Sequence, residues 1–502
     1  MQSDDRRQGG DVTDAQWTRA EFMRRAAASG AGAVLLGAGV GPARLVESAL
    51  AAETPAKTHL FRSRPDLVPP VLSTVHHDPR TSDGCLFLAP LSGPGQRGSL
   101  ILDKRGEPIW FRPSRPVVAL NFRAAVYRGK PVLTWWEGKT EHGLGEGTHV
   151  IVDETYHELM RVPAGGGRPA DLHEFLLTPR GTALVTAWER VPMDLSGLGG
   201  LQNGAVIGGV VQELELPSGR VLFEWRSLDH VGIDESHAGV TDKGAYDYFH
   251  VNSIELDADG NFLVSARNTW AVYKIDRGSG EIIWRLGGKK SDFAMSPGTG
   301  FAWQHDARHH GATDQLVSLF DDGAAPQVQP QSKALVLALD TKAMRATLHK
   351  KYTHNPPLLS HALGSTQILP NGNVLVGWGT APYLSEYTHD GELLFDAHLP
   401  HGGQNYRTLK MPWHARPTDA PAIATRRRAG HHLVYASWNG ATEIHSWRLE
   451  TGASASSLPD AAATRKTGFE TELIAPPGAR FAAVVALDAN GKPLGRSKAM
   501  KI

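Results

Sequence analysis

Four polar side chains stand out in the segment 246–310, whose other residues are typical of strands and turns. His250, Asn252 and Arg267 occur in YDYFHVNSIELDADGNFLVSARNTW, and His305 occurs in FAWQHDARHH. Side chains alternate between the faces of a strand, so a strand over FHVNSI predicts that His250 and Asn252 point the same way. Imidazole, amide and guanidinium groups on one surface indicate a pocket that binds an oxyanion.

The segments around these residues are predicted to be short antiparallel strands. Asp259-Gly260-Asn261 is a tight-turn signal after the first strand, and FLVSAR, TWAVYKID and EIIWRL follow as three further strands. Together they make one four-stranded antiparallel unit.

Looser copies of this unit recur along the chain, each combining apolar runs, a Gly or Asn turn and a hairpin. The chain contains 54 glycines, 32 prolines and 13 tryptophans, a composition typical of an all-β protein rich in turns. Repeated antiparallel hairpins without strong helical periodicity favour a β-propeller, here with about six blades. The copies lie at 100–111, 172–225, 251–286, 315–352 and 364–397.

A third histidine occupies the corresponding place in an earlier copy. His173 in LHEF opens one inner strand, His250 the next, and His305 the one after. Equivalent positions in successive blades converge on the propeller axis. A single buried histidine is usually bonded to a backbone carbonyl, but three at matching positions favour a functional pocket.

The motifs LHEF, DYFHVNSI, SARNTW, WRLGG, WQHDAR and LPNGNVLVGWG resemble those of the arylsulfate sulfotransferase family, in particular its actinobacterial and fungal branch. The resemblance extends from about residue 61 to 413. It implies a six-bladed β-propeller followed by a small C-terminal β-sandwich. It also implies an enzyme that moves a sulfuryl group from an aryl sulfate donor to a phenolic acceptor through a sulfohistidine, without a nucleotide sulfate, cofactor or metal.

The resemblance assigns a role to each candidate residue. His305 matches the histidine that is sulfated, His250, Asn252 and Arg267 match its sulfate-binding partners, and His173 matches a further active-site histidine. A neutral imidazole is a competent nucleophile near neutral pH, and nearby positive charge helps to keep it neutral. Either His250 or His173 could exchange a proton with the phenol.

Two other classes of function are compatible with the sequence. His173, His250, His305 and His361 sit at similar repeat positions, and four axial histidines can hold iron in an oxygenase. Against this, Arg267 would repel a cation, and the sequence shows no clear carboxylate partner for each histidine. A non-catalytic propeller that binds a ligand or a protein in its axial pocket is the second alternative.

The N-terminal 51 residues have the features of an export signal. TRAEFMRR, a short apolar run and the small-x-small site Ala49-Leu50-Ala51 occur in that order. The basic segment is similar to a twin-arginine signal, with Ala20 interrupting the arginine pair. We therefore expect a mature chain that begins near Ala52 and is secreted or held in the cell envelope without a stable membrane anchor.

The remaining composition places limits on partners and domains. Lysine plus arginine and aspartate plus glutamate each number 52, with no basic stripe, so nucleic acid is not an expected partner. The single Cys85 excludes an intramolecular disulfide. A Pro- and Arg-rich stretch after Trp413 precedes short alternating strands, which predicts a propeller over 52–415 and an immunoglobulin- or fibronectin-like β-sandwich over 416–502. HLVYASW could equally complete the last blade.

Overall fold

The computed structural model describes residues 57–240, 245–311 and 315–502, and β-strands dominate this part of the chain. The predicted all-β class is confirmed. The short 3-10 helices Ser196–Leu198, Ser227–Asp229 and Ile233–Glu235 lie in connections. Among the described residues no helix is long and apolar enough to cross a membrane. The predicted export signal over 1–51 lies outside the described residues.

Between Ser73 and Met411 the described residues form six sheets of at least four strands, and we number them sheet 1 to sheet 6. Sheet 1 contains Cys85–Leu88, Gly98–Leu102, Pro108–Pro113 and Leu409–Met411. Sheet 2 contains Val118–Tyr127, Lys130–Glu141, Leu144–Asp153 and Glu158–Val162. Sheet 3 contains Phe175–Leu177, Thr182–Met193, Gly204–Glu215 and Val221–Arg226, with Tyr246–Asp247 parallel to the third of these.

The remaining three large sheets use the second half of the repeat region. Sheet 4 contains Val251–Leu256, Phe262–Ala266, Ala271–Ile275 and Ile282–Gly287. Sheet 5 contains His305–His310, Leu316–Asp321, Lys333–Asp340 and Arg345–Tyr352, with Ala294–Met295 parallel to the last. Sheet 6 contains Ser365–Ile368, Val374–Gly377, Tyr383–Tyr387 and Leu393–His398, with Ser73–His77 antiparallel to the last.

The second strand of sheet 4 shows why these short apolar strands stack face to face. Phe262 and Val264 pack with Trp225 of sheet 3, whereas Leu263 packs with Val317 of sheet 5. Alternate residues thus enter two different cores, and every residue of the strand is buried. Burying one such large side chain contributes about 1.5–3 kcal/mol, so neighbouring sheets hold one another together.

The same packing links every sheet to the next, and it also joins the last sheet to the first. Leu86 and Leu100 of sheet 1 share a core with Leu375, Leu384 and Phe395 of sheet 6. Hydrogen bonds close the series as well, because the late strand Leu409–Met411 pairs with the early strand Cys85–Leu88. The arrangement is propeller-like.

Two further sheets follow these six. One contains Ala422–Arg428, His431–Ser437 and Glu470–Ala475. The other contains Asp460–Arg465, Ser446–Gly452, Phe481–Leu487 and Pro493–Arg496, with Met500–Lys501 beside the third. Val434, Leu473, Trp447 and Val484 belong to one core between them. The HLVYASW segment therefore does not complete a repeat sheet, since Leu409–Met411 has that place. The remaining two strands, Pro90–Ser92 and Gln404–Asn405, pair with each other in a two-stranded sheet.

Candidate functional site

The three candidate histidines lie where the first strands of sheets 3, 4 and 5 begin. His173 precedes Phe175–Leu177, His250 directly precedes Val251–Leu256, and His305 is the first residue of its strand. Rings of His173 and His250 meet edge to face with centroids 4.8 Å apart. His173 and His305 are each only 2 % exposed. The fold therefore brings together residues that are far apart in the sequence.

Local backbone geometry at these strand ends differs from a regular strand. His250 has φ 55°, and the pairing register shifts between Val251 and Ser253. Asp306 has φ 56° beside a similar shift after His305. Such irregularities redirect side chains at the ends of strands. The sequence argument that His250 and Asn252 alternate along one strand was wrong in its premise, because His250 lies before the strand and Asn252 lies within the shift.

Each histidine is bonded through Nδ1 to an aspartate. The Nδ1 to Oδ2 distances are 2.5 Å for His173 with Asp171, 2.5 Å for His250 with Asp247, and 2.7 Å for His305 with Asp322. The expectation that no carboxylate set accompanies the histidines was therefore wrong. Asp171 and Asp247 precede their histidines by two and three residues in the sequence, whereas Asp322 directly follows the strand Leu316–Asp321 and carries no local signal.

These aspartates fix which ring nitrogen is available for chemistry. Burial opposes ionisation of Asp171, but the charges of His173 and other donors outweigh it, and the pKa of Asp171 is lowered. Burial lowers the pKa of His173. An Nδ1 atom engaged by a carboxylate leaves Nε2 as the nitrogen that can bind, attack or exchange a proton.

His305 has the most strongly perturbed surroundings of the three. Burial, then the guanidinium of Arg267 and the other two histidines, lower the pKa of His305 well below its ordinary value. Burial raises the pKa of Asp322, while Arg267 opposes that rise. His305 is consequently a neutral imidazole at neutral pH, and a positive group stands beside it.

Arg267 is held in one orientation by three contacts. Its Nη1 donates to Asn268 Oδ1 at 3.0 Å, and its Nη2 donates to the His361 carbonyl at 3.1 Å. The guanidinium carbon lies 4.8 Å from the ring centroid of Trp303. A planar cation fixed in this way is suited to hold the oxygens of a sulfate or phosphate group.

The carboxylates also bear on the iron alternative, because metal-binding histidines need such partners. Two observations argue against a bound cation. The positive charge of Arg267 lowers the pKa of His305, and the backbone carbonyl of His361 accepts a hydrogen bond from Arg267. Within the three described ranges, no group of three or more His, Cys, Asp or Glu side chains is placed to hold a metal ion. The donor set fits an anion better than a metal.

Asn252 is fully buried and is tied into the framework. Its Nδ2 donates to the Gln304 carbonyl at 2.6 Å, and its own carbonyl accepts from Arg407 Nη2 at 3.0 Å and from Tyr406 Oη at 3.3 Å. The Tyr406 hydroxyl also lies 3.0 Å from the His173 carbonyl. Asn252 therefore links the strand that begins near His250 to the neighbouring sheets.

A buried group of charges beneath the histidines was not predicted from the sequence. We call it the axial charge network; its members are Arg123, Glu174, Asp306, Arg308 and Arg407. Glu174 accepts from Arg407 Nη1 at 2.7 Å, and Arg308 bonds both carboxylates. Burial opposes ionisation of Glu174, but the three arginines outweigh it and lower its pKa to about 2.

The axial charge network reaches the inner edge of all six sheets. Arg123 lies in sheet 2, Asp306 and Arg308 lie in sheet 5, and Glu174 and Arg407 lie one and two residues before strands of sheets 3 and 1. Asn252 of sheet 4 and Thr366 of sheet 6 bond to Arg407 and Asp306. Three guanidinium groups face two carboxylates, so the network has an excess of positive charge. Glu174, Asp306 and Arg308 adjoin the site histidines in LHEF and WQHDAR, whereas Arg407 has no comparable sequence signal.

Together these observations define a propeller-like protein in which three histidine–aspartate pairs lie beside a fixed arginine where the inner strands begin. The family model Arylsulfotransferase (ASST) matches residues 123–399 of the 502 residues. The chain belongs to the arylsulfotransferase family. No curated protein matches the chain.

Several solved structures share similarity with the chain. One is a protein of unknown function from Bacteroides caccae, with 14% identity, coverage of 65% of this chain and 98% of that chain, and a TM-score of 0.40. A streptogramin B lyase has 10% identity, 72% and 94% coverage, and a TM-score of 0.34. A virginiamycin B lyase from Staphylococcus aureus has 12% identity, 74% and 96% coverage, and a TM-score of 0.32.

Proposed function

We propose that this protein is an arylsulfate sulfotransferase that transfers a sulfuryl group from an aryl sulfate to a phenol through a sulfated His305. The observation that carries the proposal is the fixed set of three histidines, each with Nδ1 on an aspartate, beside the oriented Arg267. Membership of the arylsulfotransferase family supports the same chemistry.

In the first step, the lone pair on Nε2 of His305 attacks the sulfur of the aryl sulfate. The nitrogen–sulfur bond forms as the sulfur–aryl oxygen bond breaks, and the phenolate leaves with the electron pair. Arg267 stabilises the negative charge on the sulfuryl oxygens, which is the main task of the protein in this type of transfer. The low pKa of His305 keeps the nucleophile unprotonated.

Proton transfer completes each half of the reaction. His173 or His250, protonated on Nε2, gives a proton to the departing phenolate, and the same group takes a proton from the incoming phenol. The phenol oxygen then attacks sulfur, the nitrogen–sulfur bond breaks, and His305 is restored. Asn252 contributes by holding the strand behind His250 in place.

The architecture and location of the protein are part of the proposal. The six sheets are the blades of a six-bladed propeller, supported by the shared core between sheets 6 and 1. Residues 52–415 form this catalytic domain, and residues 416–502 form a β-sandwich. We also propose that the chain belongs to the actinobacterial and fungal branch and is exported after cleavage near Ala52.

Steady-state kinetics tests the proposed reaction. With an aryl sulfate donor and a phenolic acceptor varied together, we expect parallel double-reciprocal lines, the pattern of a covalent enzyme intermediate. His305→Ala should abolish turnover, and a chelator should leave the wild-type rate unchanged. Intersecting lines or normal turnover in His305→Ala would contradict the proposal. So would stoichiometric iron in the purified protein whose removal by a chelator abolishes activity.

A further inference from the structure

The hairpin of sheet 2 has long strands that bring its turn to the candidate site. Lys130–Glu141 and Leu144–Asp153 have 12 and 10 residues, against five residues in each of the two central strands of sheet 4. We call residues 143–145 the hairpin tip. None of its residues was among the candidates from the sequence.

The hairpin tip lies against His250. A methyl group placed on Gly143 would lie 3.2 Å from Cε1 and 3.9 Å from Nε2 of His250. Gly143 also has φ 84°, which favours glycine. A side chain at this position would therefore crowd the imidazole at the edge between its two nitrogens.

The hairpin tip is also bonded to the carboxylate that holds His173. The Gly145 N–H donates to Asp171 Oδ1 at 2.8 Å, and Asp171 Oδ2 lies 2.5 Å from His173 Nδ1. The Gly145 carbonyl accepts from Trp188 Nε1 of sheet 3 at 2.9 Å. The tip is thus fixed through both backbone polar groups of Gly145.

A small cavity lies between the tip and His250. The cavity lined by Leu144, Asp171, Trp188, Asp247 and His250 has a volume of about 10 Å³. This is about the volume needed for one water molecule. Movement of the His250 ring into this cavity would bring it toward Leu144 of the hairpin tip.

We propose that the hairpin tip, through Gly143 and Gly145, is a positioning element for His250 and His173 in proton transfer to and from the phenol. This inference rests on the proposed function and extends it to residues of sheet 2. Proton transfer requires the donor and acceptor to lie about 2.6–3.2 Å apart, so a small displacement of either ring slows it.

Leaving-group dependence separates this role from a merely structural one. An aryl sulfate with a very acidic phenol needs little help from a general acid, whereas one with a weakly acidic phenol depends on it. A tip that positions the acid should therefore affect the second type of donor more. General loss of folded protein would lower both rates by the same factor.

Gly143→Ala and Gly129→Ala form a matched pair for this test. Both glycines lie in hairpin turns of sheet 2 with positive φ, 84° and 77°, but a methyl group on Gly129 has nothing within 4 Å. We expect similar changes in Tm. Gly143→Ala should slow sulfation of the enzyme by the sulfate ester of the weakly acidic phenol about 10- to 100-fold more than sulfation by the ester of the acidic phenol. Gly129→Ala should keep the wild-type ratio of these two rates.

A second pair decides the matter if Gly143→Ala does not fold. Trp188→Phe removes the bond to Gly145, and Trp225→Phe removes a similar bond from Nε1 to the Gly280 carbonyl, 3.0 Å long and away from the tip. The proposal is supported if the ratio of the sulfation rates with the two donors changes in Trp188→Phe but not in Trp225→Phe. Wild-type ratios in the folded tip variants overturn it. Absence of a sulfuryl adduct on the wild-type enzyme instead overturns the proposed function itself.

Discussion

At the scale of residues, three imidazoles with similar aspartate partners differ in their other neighbours. His305 is buried and has Arg267 nearby, whereas His173 and His250 contact each other at their ring edges. His173 is buried and His250 is partly buried, and two imidazolium charges at this contact would repel each other. This arrangement suits one nucleophile and one shared proton.

Replacement of Arg267 should change both the rate and its pH dependence. Arg267 lowers the pKa of His305, so Arg267→Gln should raise that pKa and protonate the nucleophile at higher pH. The acid limb of the sulfation rate should therefore move to higher pH. Loss of charge stabilisation should add about 2–4 kcal/mol to the barrier. Both effects are measured from the burst of phenol as a function of pH.

Arg220→Gln is the control for that experiment, because Arg220 pairs with Glu215 on the exposed surface. Its pH profile should match the wild type. An acid limb in Arg267→Gln that coincides with the wild-type limb would show that Arg267 does not control His305.

At the scale of elements, the inner strands show where sequence periodicity fails. Register shifts after Leu120, Val251 and His305 interrupt the alternation that a regular strand would give. The shifts contain the buried polar residues Asn121, Asn252 and Asp306, which bond to Arg407, Gln304 and Thr366. Periodicity predicted that the strands exist, but the orientation of their polar residues depends on the neighbouring sheets.

The interface between sheets 2 and 3 provides a test of stability against pH. His149 is fully buried, its ring stacks on Phe175 with centroids 4.4 Å apart, and burial lowers its pKa to about 3. In the unfolded chain the ordinary pKa is about 6.5, so unfolding takes up a proton below that pH. The contribution of His149 to the unfolding free energy should be fully present above pH 6.5. It should fall as the pH is lowered toward 3, by up to about 1.4 kcal/mol per pH unit.

His149→Phe should make the dependence of the unfolding free energy on pH shallower between about pH 6 and 4. Denaturant unfolding at several pH values measures it. His157→Ala, at an exposed histidine of the same sheet, should leave the slope unchanged. An unchanged slope in His149→Phe would contradict the buried neutral imidazole.

At the scale of the whole molecule, the sequence repeats predicted four complete or nearly complete sheets but not sheet 2. Its strands Val118–Tyr127 to Glu158–Val162 lack the repeated hairpin pattern, and one of its turns falls in the glycine-rich segment HGLGEG. Closure by Leu409–Met411 was also missed, because pairing over more than 300 residues leaves no local signal. The site histidines were found through repetition, whereas Asp322 and Arg407 reach the site only through tertiary structure.

The axial charge network should be important for the stability of the whole domain. Glu174→Gln removes a buried charge that faces three arginines and should destabilise the fold by about 3–5 kcal/mol. Glu158→Gln is the control, since its pair with Arg161 is partly exposed and should contribute about 0–1 kcal/mol. Equal unfolding free energies for the two variants would indicate that the network does not hold the six sheets together.

The most direct test of the central claim is the intact mass of the protein after incubation with an aryl sulfate that has a good leaving group. We predict the addition of one SO₃ group, located on His305 by fragmentation, and its loss as aryl sulfate product when a phenol is added. His305→Ala should show no adduct, because the proposed nucleophile is then absent. Phenol release without any adduct, or an adduct on another residue, would contradict the sulfohistidine mechanism.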